Sequence, residues 1–253
     1  MTELVFYNGL VMGWFVLAVI IFVSLLYVKA PYGRYASKGW GATVGNRVAW
    51  IVMESVSPLV FALCFVFGSI EKNLVIVLFF CMWEAHYVHR AFIYPLMLRS
   101  TVKQMPAMVM SLGIIFNSAN AYLNGRYLFT FSDGYGIAWL VDPRFIFGFA
   151  LFVIGFIINR QADNTLRGLR KSDETSYGVS FEGLFRFVSC PNYLGEILIW
   201  IGWAMATWSL AGLSFALWTM ANLIPRARAH HYWYKEHFPD YPPERKALVP
   251  GLW

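Results

Sequence analysis

Five polar side chains crowd into one apolar run: Glu84, His86, Tyr87, His89 and Arg90 fall within seven residues. At about 100° per residue on a helix, Glu84, Tyr87, Arg90 and Tyr94 share a face of about 120°, while His86 and His89 point elsewhere. Another acid, Glu54, sits in the apolar segment Trp50–Ser55. A carboxylate in hydrocarbon is costly, so Glu54 needs a partner, a proton or water, and such groups mark functional sites. The structural alternative is a buried polar network that only locks helices together, and for His86 and His89 it is the simpler reading.

Asn159, Asp163, Leu166 and Arg170 are spaced 0, 4, 7 and 11, within about 60° of one helix face. An amide, a carboxylate and a guanidinium in line suit a nucleotide, with Asp and Asn on hydroxyl or amide groups and Arg on phosphate. A solvated juxtamembrane face would have the same spacing. There is no GxGxxG and no P-loop, so neither of those nucleotide folds is suggested. Pro191-Asn-Tyr-Leu-Gly-Glu196 opens another apolar run, with Asn192 placed as a natural helix cap and Glu196 as a further acid in the span. Cys64, Cys81 and Cys190 lack metal or redox spacing and read as small core residues. No metal site is expected.

These residues must be positioned by membrane helices. Of 253 residues, 58% are hydrophobic and only 13% charged, against about 25% in soluble domains. The expected architecture is a single all-α membrane domain over 1–253. Its seven spans lie near 5–28, 48–70, 74–98, 105–124, 144–160, 194–208 and 210–225. Val5–Val28 is too long for a signal core and has no basic residue before it, so it reads as a retained span. The last two spans form one apolar stretch, Tyr193–Ile224, too long for one upright helix, with a turn expected near Ser209–Gly212.

Ordered blocks then carry a resemblance. They are Met53-Glu54, His86-Tyr-Val-His-Arg90, Asn159–Lys171, Gly183–Ser189, Asn192-Tyr-Leu-Gly-Glu196, Trp200–Leu210, Arg226–Tyr234 and Asp240–Pro250. Through them nearly the whole chain resembles the steroid 5α-reductase family (3-oxo-5α-steroid 4-dehydrogenases). Its compact length and short loops look like a bacterial homologue, which implies the bacterial inner membrane, or the endoplasmic reticulum in a eukaryote. The resemblance implies a seven-helix fold holding NADPH and hydride delivery to the C4=C5 bond of a 3-oxo-Δ4 steroid of the progesterone or testosterone type. It places the catalytic acid–tyrosine pair on Glu54 and Tyr87, with Arg90 beside them toward substrate. It places cofactor contacts on Tyr32, Asn159, Asp163, Arg170, Tyr177, Asn192, Glu196, Arg226, His230 and Tyr234. In the pair His230-His231, register favours the first, with the second one residue away.

Two other readings compete. Isoprenylcysteine-type membrane methyltransferases share a Pro-x-Tyr-x-Gly-Glu pattern and a late Phe-Pro–Tyr segment, here Pro191–Glu196 and Glu236–Tyr241. They carry Arg-His before the proline, where this chain has Ser189-Cys190, and Glu54 with Tyr87 speaks for the reductase. A non-catalytic sterol-binding membrane protein would bind steroid without turnover. Beyond steroid and bilayer no partner is expected: the net charge of +6 reflects topology rather than nucleic acid, and no obligate protein partner is evident.

Basic residues collect on the cytoplasmic side of membrane helices. With the N-terminus outside, sixteen of the twenty Lys and Arg fall in cytoplasmic segments; only Lys72, Arg126 and Arg144 lie outside, and Arg90 lies within a span. The expected orientation is therefore N-terminus out and C-terminus cytoplasmic. A reporter active only in the periplasm, fused after Trp253, should stay silent in a bacterial host; a strong signal would refute the seven-span arrangement.

Overall fold

Apolar periodicity and proline–glycine punctuation divide the chain into seven long helices among the described residues of the computed structural model, which are 2–28, 35, 40–98, 104–169 and 178–253. They are α1 (Glu3–Tyr27), α2 (Asn46–Phe67), α3 (Leu74–Val88), α4 (Ala107–Arg126), α5 (Pro143–Gly168), α6 (Pro191–Thr207) and α7 (Leu210–His237). The α3 rod runs on through a π-helical turn, His89–Ile93, and a last α turn, Tyr94–Met97. Among the described residues, four helical rods are long and apolar enough to cross a membrane: Glu3–Tyr27, Asn46–Phe67, Leu74–Met97 and Pro143–Gly168. A two-stranded antiparallel ribbon, β1 (Thr43–Gly45) with β2 (Gln104–Pro106), ties the start of α2 to the start of α4.

Local chemistry sets the helix ends. The Asn73 side chain accepts from the amides of Val75 and Ile76, and Asp142 accepts from that of Arg144 with Pro143 following at the first helical position. Pro95 cannot donate to the ladder, and the π turn lies just before it. Arg47 covers two carbonyls at the end of that rod, donating to Pro95 O and Leu98 O at 3.1 and 2.9 Å. The long stretch Tyr193–Ile224 breaks at Trp208, whose φ of 44° is left-handed, and Ser209 caps α7 by accepting from Gly212 N at 2.9 Å. Two sequence expectations are corrected. Asn192 is not the cap of α6, since Cys190 holds that position and Asn192 is already helical. The last helix does not end with its expected span at 225, because α7 continues through Pro225 to His237.

Buried aromatics fill the centre. Phe61 stacks on Trp83 at 4.4 Å between ring centroids, and Trp83 also meets Trp200, Trp203 and Phe215. The helix α1 joins through a stripe at Tyr7, Val11, Trp14 and Ala18, the one buried face of an otherwise lipid-suited rod. Tyr7 donates to Leu123 O, and Trp218 donates to Trp14 O.

The tightest packing is between α5 and α6. Gly148 and Gly155 on α5, and Gly195 and Gly202 on α6, are each seven residues apart, so each pair keeps to one side of its helix. A Cβ at Gly155 would lie 2.6 Å from Ile199 N, and one at Gly195 would lie 2.5 Å from Asn159 N. Small residues let helix backbones approach in a membrane, where dispersion and polar contacts replace the hydrophobic drive. Overpacking a fitted contact costs about 1–3 kcal/mol. Gly155→Ala should therefore lower the detergent-solubilised melting temperature by several degrees, whereas Gly9→Ala, where a Cβ would meet nothing within 4 Å, should leave it unchanged.

Candidate active site

The acid and the phenol come from neighbouring helices. Glu54 lies on α2, half-buried, with Oε2 3.5 Å from Asn117 Nδ2 of α4. Asn117 also donates to Met53 O at 2.7 Å, so its amide is anchored to the α2 backbone beside the acid. Pro58 removes the amide that would have bonded the Glu54 carbonyl, loosening the ladder at that residue. Tyr87 on α3 is 4% exposed, packed against Trp83 and Trp200 and within electrostatic reach of Glu54. One turn on, Arg90 lies within reach of Glu54, Asp163 and Glu196 together. Its Nη1 is 3.8 Å from Asp163 Oδ2, and its guanidinium lies over the rings of Trp50 and Tyr94. One cation thus serves three carboxylates from three helices. The buried Oε1 of Glu84 has no hydrogen-bond partner among the described residues.

The second wall is built by α5 and α6. Asn159 donates from Nδ2 to Asn192 O at 2.9 Å and to Glu196 Oε2 at 3.0 Å. Asn192 in turn donates to Asp163 Oδ1 at 3.3 Å, while Asp163 Oδ2 is buried without a hydrogen-bond partner among the described residues. Arg160 lies against His89 and donates to Asn159 Oδ1 at 2.7 Å. The expected stripe Asn159–Asp163 therefore faces Asn192 and Glu196, and through Arg90 it meets the Glu54–Tyr87 wall.

The third wall belongs to α7. Arg226 and His230, one turn apart, both approach the Tyr193 hydroxyl, at 3.5 and 3.1 Å. His230 also stacks on Tyr35. His231 turns the other way. Its Nδ1 lies 2.6 Å from Ser189 Oγ, which is also 2.6 Å from the Tyr241 hydroxyl. Of the two histidines, only His230 faces Tyr193 and Arg226. Tyr234 is buried against Tyr241 and Phe238, on the side of the tail. Tyr32, Arg170 and Tyr177 lie outside the described residues.

Asn117 and Trp200 escape the residue-by-residue reading, and His86, read there as a residue that locks helices together, meets Glu196 of α6. Asn117 was signalled, if at all, by the buried run Asn117, Asn120 and Asn124 along one face of α4. Trp200 and His86 both bond Glu196; His86 points away from the Tyr87 face, as its spacing implies, and that direction leads to α6.

A model of the family described as 3-oxo-5-alpha-steroid 4-dehydrogenase matches residues 103–253. Steroid 5-alpha-reductase DET2 of Gossypium hirsutum is 40% identical over 245 residues, 94% of either chain. The chain belongs to this steroid dehydrogenase family. Its similarity to 3-oxo-5-alpha-steroid 4-dehydrogenase 1 is 41% over 240 residues for the Bos taurus protein, 93% of either chain. For the Homo sapiens protein it is 37% over 237 residues, 92% of this chain and 90% of the relative. The relatives thus extend the match across α2 and α3, where Glu54 and Tyr87 lie. Membership in a steroid 5-alpha-reductase family sets aside the methyltransferase reading. Plant and mammalian relatives lend no support to a bacterial source or an inner-membrane location; what stands for this reductase is a membrane protein.

The His231 latch gives the reductase a pH dependence. Burial, followed by the nearby charges of Lys235, Arg245 and Lys246, pushes the pKa of His231 down from 6.5 to about 4. The unfolded chain therefore takes up this proton first as pH falls. The latch's contribution is complete above about pH 6.5 and is lost progressively toward pH 4. Thermal unfolding across that range should show a falling melting temperature, and His231→Asn should flatten part of the slope.

Proposed function

We propose that the chain reduces the C4=C5 bond of 3-oxo-Δ4 steroids to 5α-3-oxo steroids with NADPH, and that Glu54 and Tyr87 clamp the C3 carbonyl. The observation that carries this reading is the meeting, at Arg90, of the acid–phenol wall of α2 and α3 with the Asn159–Asp163–Glu196 wall of α5 and α6. All seven helices cross the bilayer in this reading, with the C-terminal end of α7 in the cytoplasm, where a soluble cofactor is available.

The residues fit a nicotinamide dinucleotide. Asp163 Oδ2 is buried with no hydrogen-bond partner among the described residues, Arg90 and Arg160 lying at ion-pair distances of 3.8 and 3.9 Å, and Glu196 Oε2 accepts from Asn159 with one lone-pair direction to spare. Carboxamide and hydroxyl groups supply such donors. Arg226 and His230 add positive charge and ring surface for phosphate and base, with Tyr193 between them; Asn192 holds Asp163 in place. Tyr32, Arg170, Tyr177 and Tyr234 complete the proposed set from the family resemblance.

Bound here, NADPH would supply a hydride to C5, and a proton added at C4 completes the reduction and restores the C3 ketone. The protein's part is to hold the enone and to meet the charge that grows on its C3 oxygen. Tyr87 donates its phenolic proton toward that oxygen, and Glu54 does so as a neutral acid. Asn117, anchored to Met53 O, holds one oxygen of Glu54 from the α4 side. Aromatic packing around Tyr87 excludes water, which strengthens each of these contacts.

Purified protein incubated with NADPH and progesterone or testosterone should yield the 5α-dihydro product, identified by mass and stereochemistry. Losing one such donor costs roughly 100- to 1,000-fold in turnover. Tyr87→Phe should show that loss with near-normal NADPH affinity. Glu54→Gln should keep part of the turnover and Glu54→Ala almost none. Equal loss in Gln and Ala makes Glu54 an anion in the reaction, and wild-type turnover by Tyr87→Phe removes the clamp.

A further inference from the structure

We infer that His86 is a positioning residue that fixes the Glu196 carboxylate, and so sets the distance between the carbonyl clamp and the cofactor wall. This rests on the reading of Glu196 as a cofactor contact. His86 is 1% exposed on α3, one residue before Tyr87. Its Nε2 lies 3.2 Å from Glu196 Oε1 on α6. An acceptor at that distance places the ring proton on Nε2, and Nδ1 meets no partner among the described residues. The ring is wedged edge-on against Trp200 at 4.7 Å and Tyr87 at 5.1 Å between centroids, so it has no room to swing.

The lone pairs of Glu196 give the contact its meaning. A carboxylate offers about four acceptor directions. On Oε1, His86 Nε2 and Trp200 Nε1, the latter at 3.0 Å, take two. On Oε2, Asn159 Nδ2 takes one. One direction on Oε2 is left for a donor from outside. Trp200 sits four residues along the same helix, so its bond cannot fix Glu196 relative to any other element. Asn159 ties the carboxylate to α5. His86 alone among these three ties it to α3, the helix that carries Tyr87. Without His86 a second lone pair on Oε1 opens, and the carboxylate is free to rotate between two presentations.

The test is a double-mutant cycle on the intact protein in detergent or nanodiscs, reading NADPH affinity, kcat and melting temperature for His86→Ala, His86→Gln, Glu196→Ala and His86→Ala/Glu196→Ala. His86→Ala should weaken NADPH binding about tenfold and lower kcat by a similar factor. His86→Gln, whose amide nitrogen replaces Nε2, should recover most of both. In the Glu196→Ala background, His86→Ala should change NADPH affinity by less than twofold, because a residue that acts through Glu196 has nothing left to act on. Equal losses in both backgrounds make His86 a packing residue and overturn the inference, as does a His86→Gln variant as impaired as His86→Ala while melting like the wild type. If Glu196→Ala itself binds NADPH normally, the underlying cofactor reading of Glu196 fails. That outcome is separate from a failure of His86, which leaves the Glu196→Ala defect in place.

Discussion

Everything at the site depends on how closely α5 and α6 approach. Their backbones meet across Gly148, Gly155, Gly195 and Gly202, at separations that leave no space for a methyl group. Only at that spacing does the short amide of Asn159 reach both the Asn192 carbonyl and the Glu196 carboxylate of the neighbouring helix. The polar wall is therefore a product of small residues that make no polar contact themselves. Close backbones favour short polar side chains, and these are the types found: two asparagines and an aspartate, with glutamate as the longest.

Charge is the second constraint. Three acids, Glu54, Asp163 and Glu196, come from three helices, and ionised groups in hydrocarbon are tolerated only when paired or turned inward. Arg90 lies among all three, shielded on its outer side by Trp50 and Tyr94. The π turn that carries it adds one residue to the local winding, and such turns recur at functional sites. The distance from Arg90 to Asp163, 3.8 Å, is longer than a bidentate pair would give. The arginine thus balances several charges without being spent on one.

Much of this was legible in the sequence, and the limits have physical causes. The seven helices begin within a few residues of the expected spans because long apolar runs and their capping residues act locally, whereas α5 and α7 run on to Gly168 and His237, well past the expected ends at 160 and 225. Glu54, Tyr87 and Arg90 stood out because polar groups in apolar runs are costly, and Asn159 and Asp163 because their spacing places them on one helix face. The continuation of α7 past Pro225 was hidden, since charged and polar residues beyond a span read equally well as a loop. Asn192 looked like a cap because its type favours that position, yet Asp163 on another helix claims its side chain. Asn117 was passed over, and the partner of His86 was not foreseen, because both contacts depend on which helices lie opposite, which periodicity does not record. Register favoured the first of the two adjacent histidines, and their directions differ: His230 turns to Tyr193, His231 to Ser189.

The tail adds a constraint of a different kind. Val188 pairs with Lys246 in a parallel bridge, and the amides of Ser189 and Cys190 donate to the carbonyls of Lys246 and Ala247. Buried Arg245 reaches back to the Ser180 carbonyl at 3.1 Å. The segment leading into α6 is thus completed by strands of chain made 57 residues later. During synthesis, the polypeptide inserts its helices first, and the approach to Asn192 and Glu196 takes its final path only when the following helix and the tail behind it have left the ribosome. Order of manufacture and order of assembly therefore run opposite at this point: α6 is made before α7, but its entrance is closed after it.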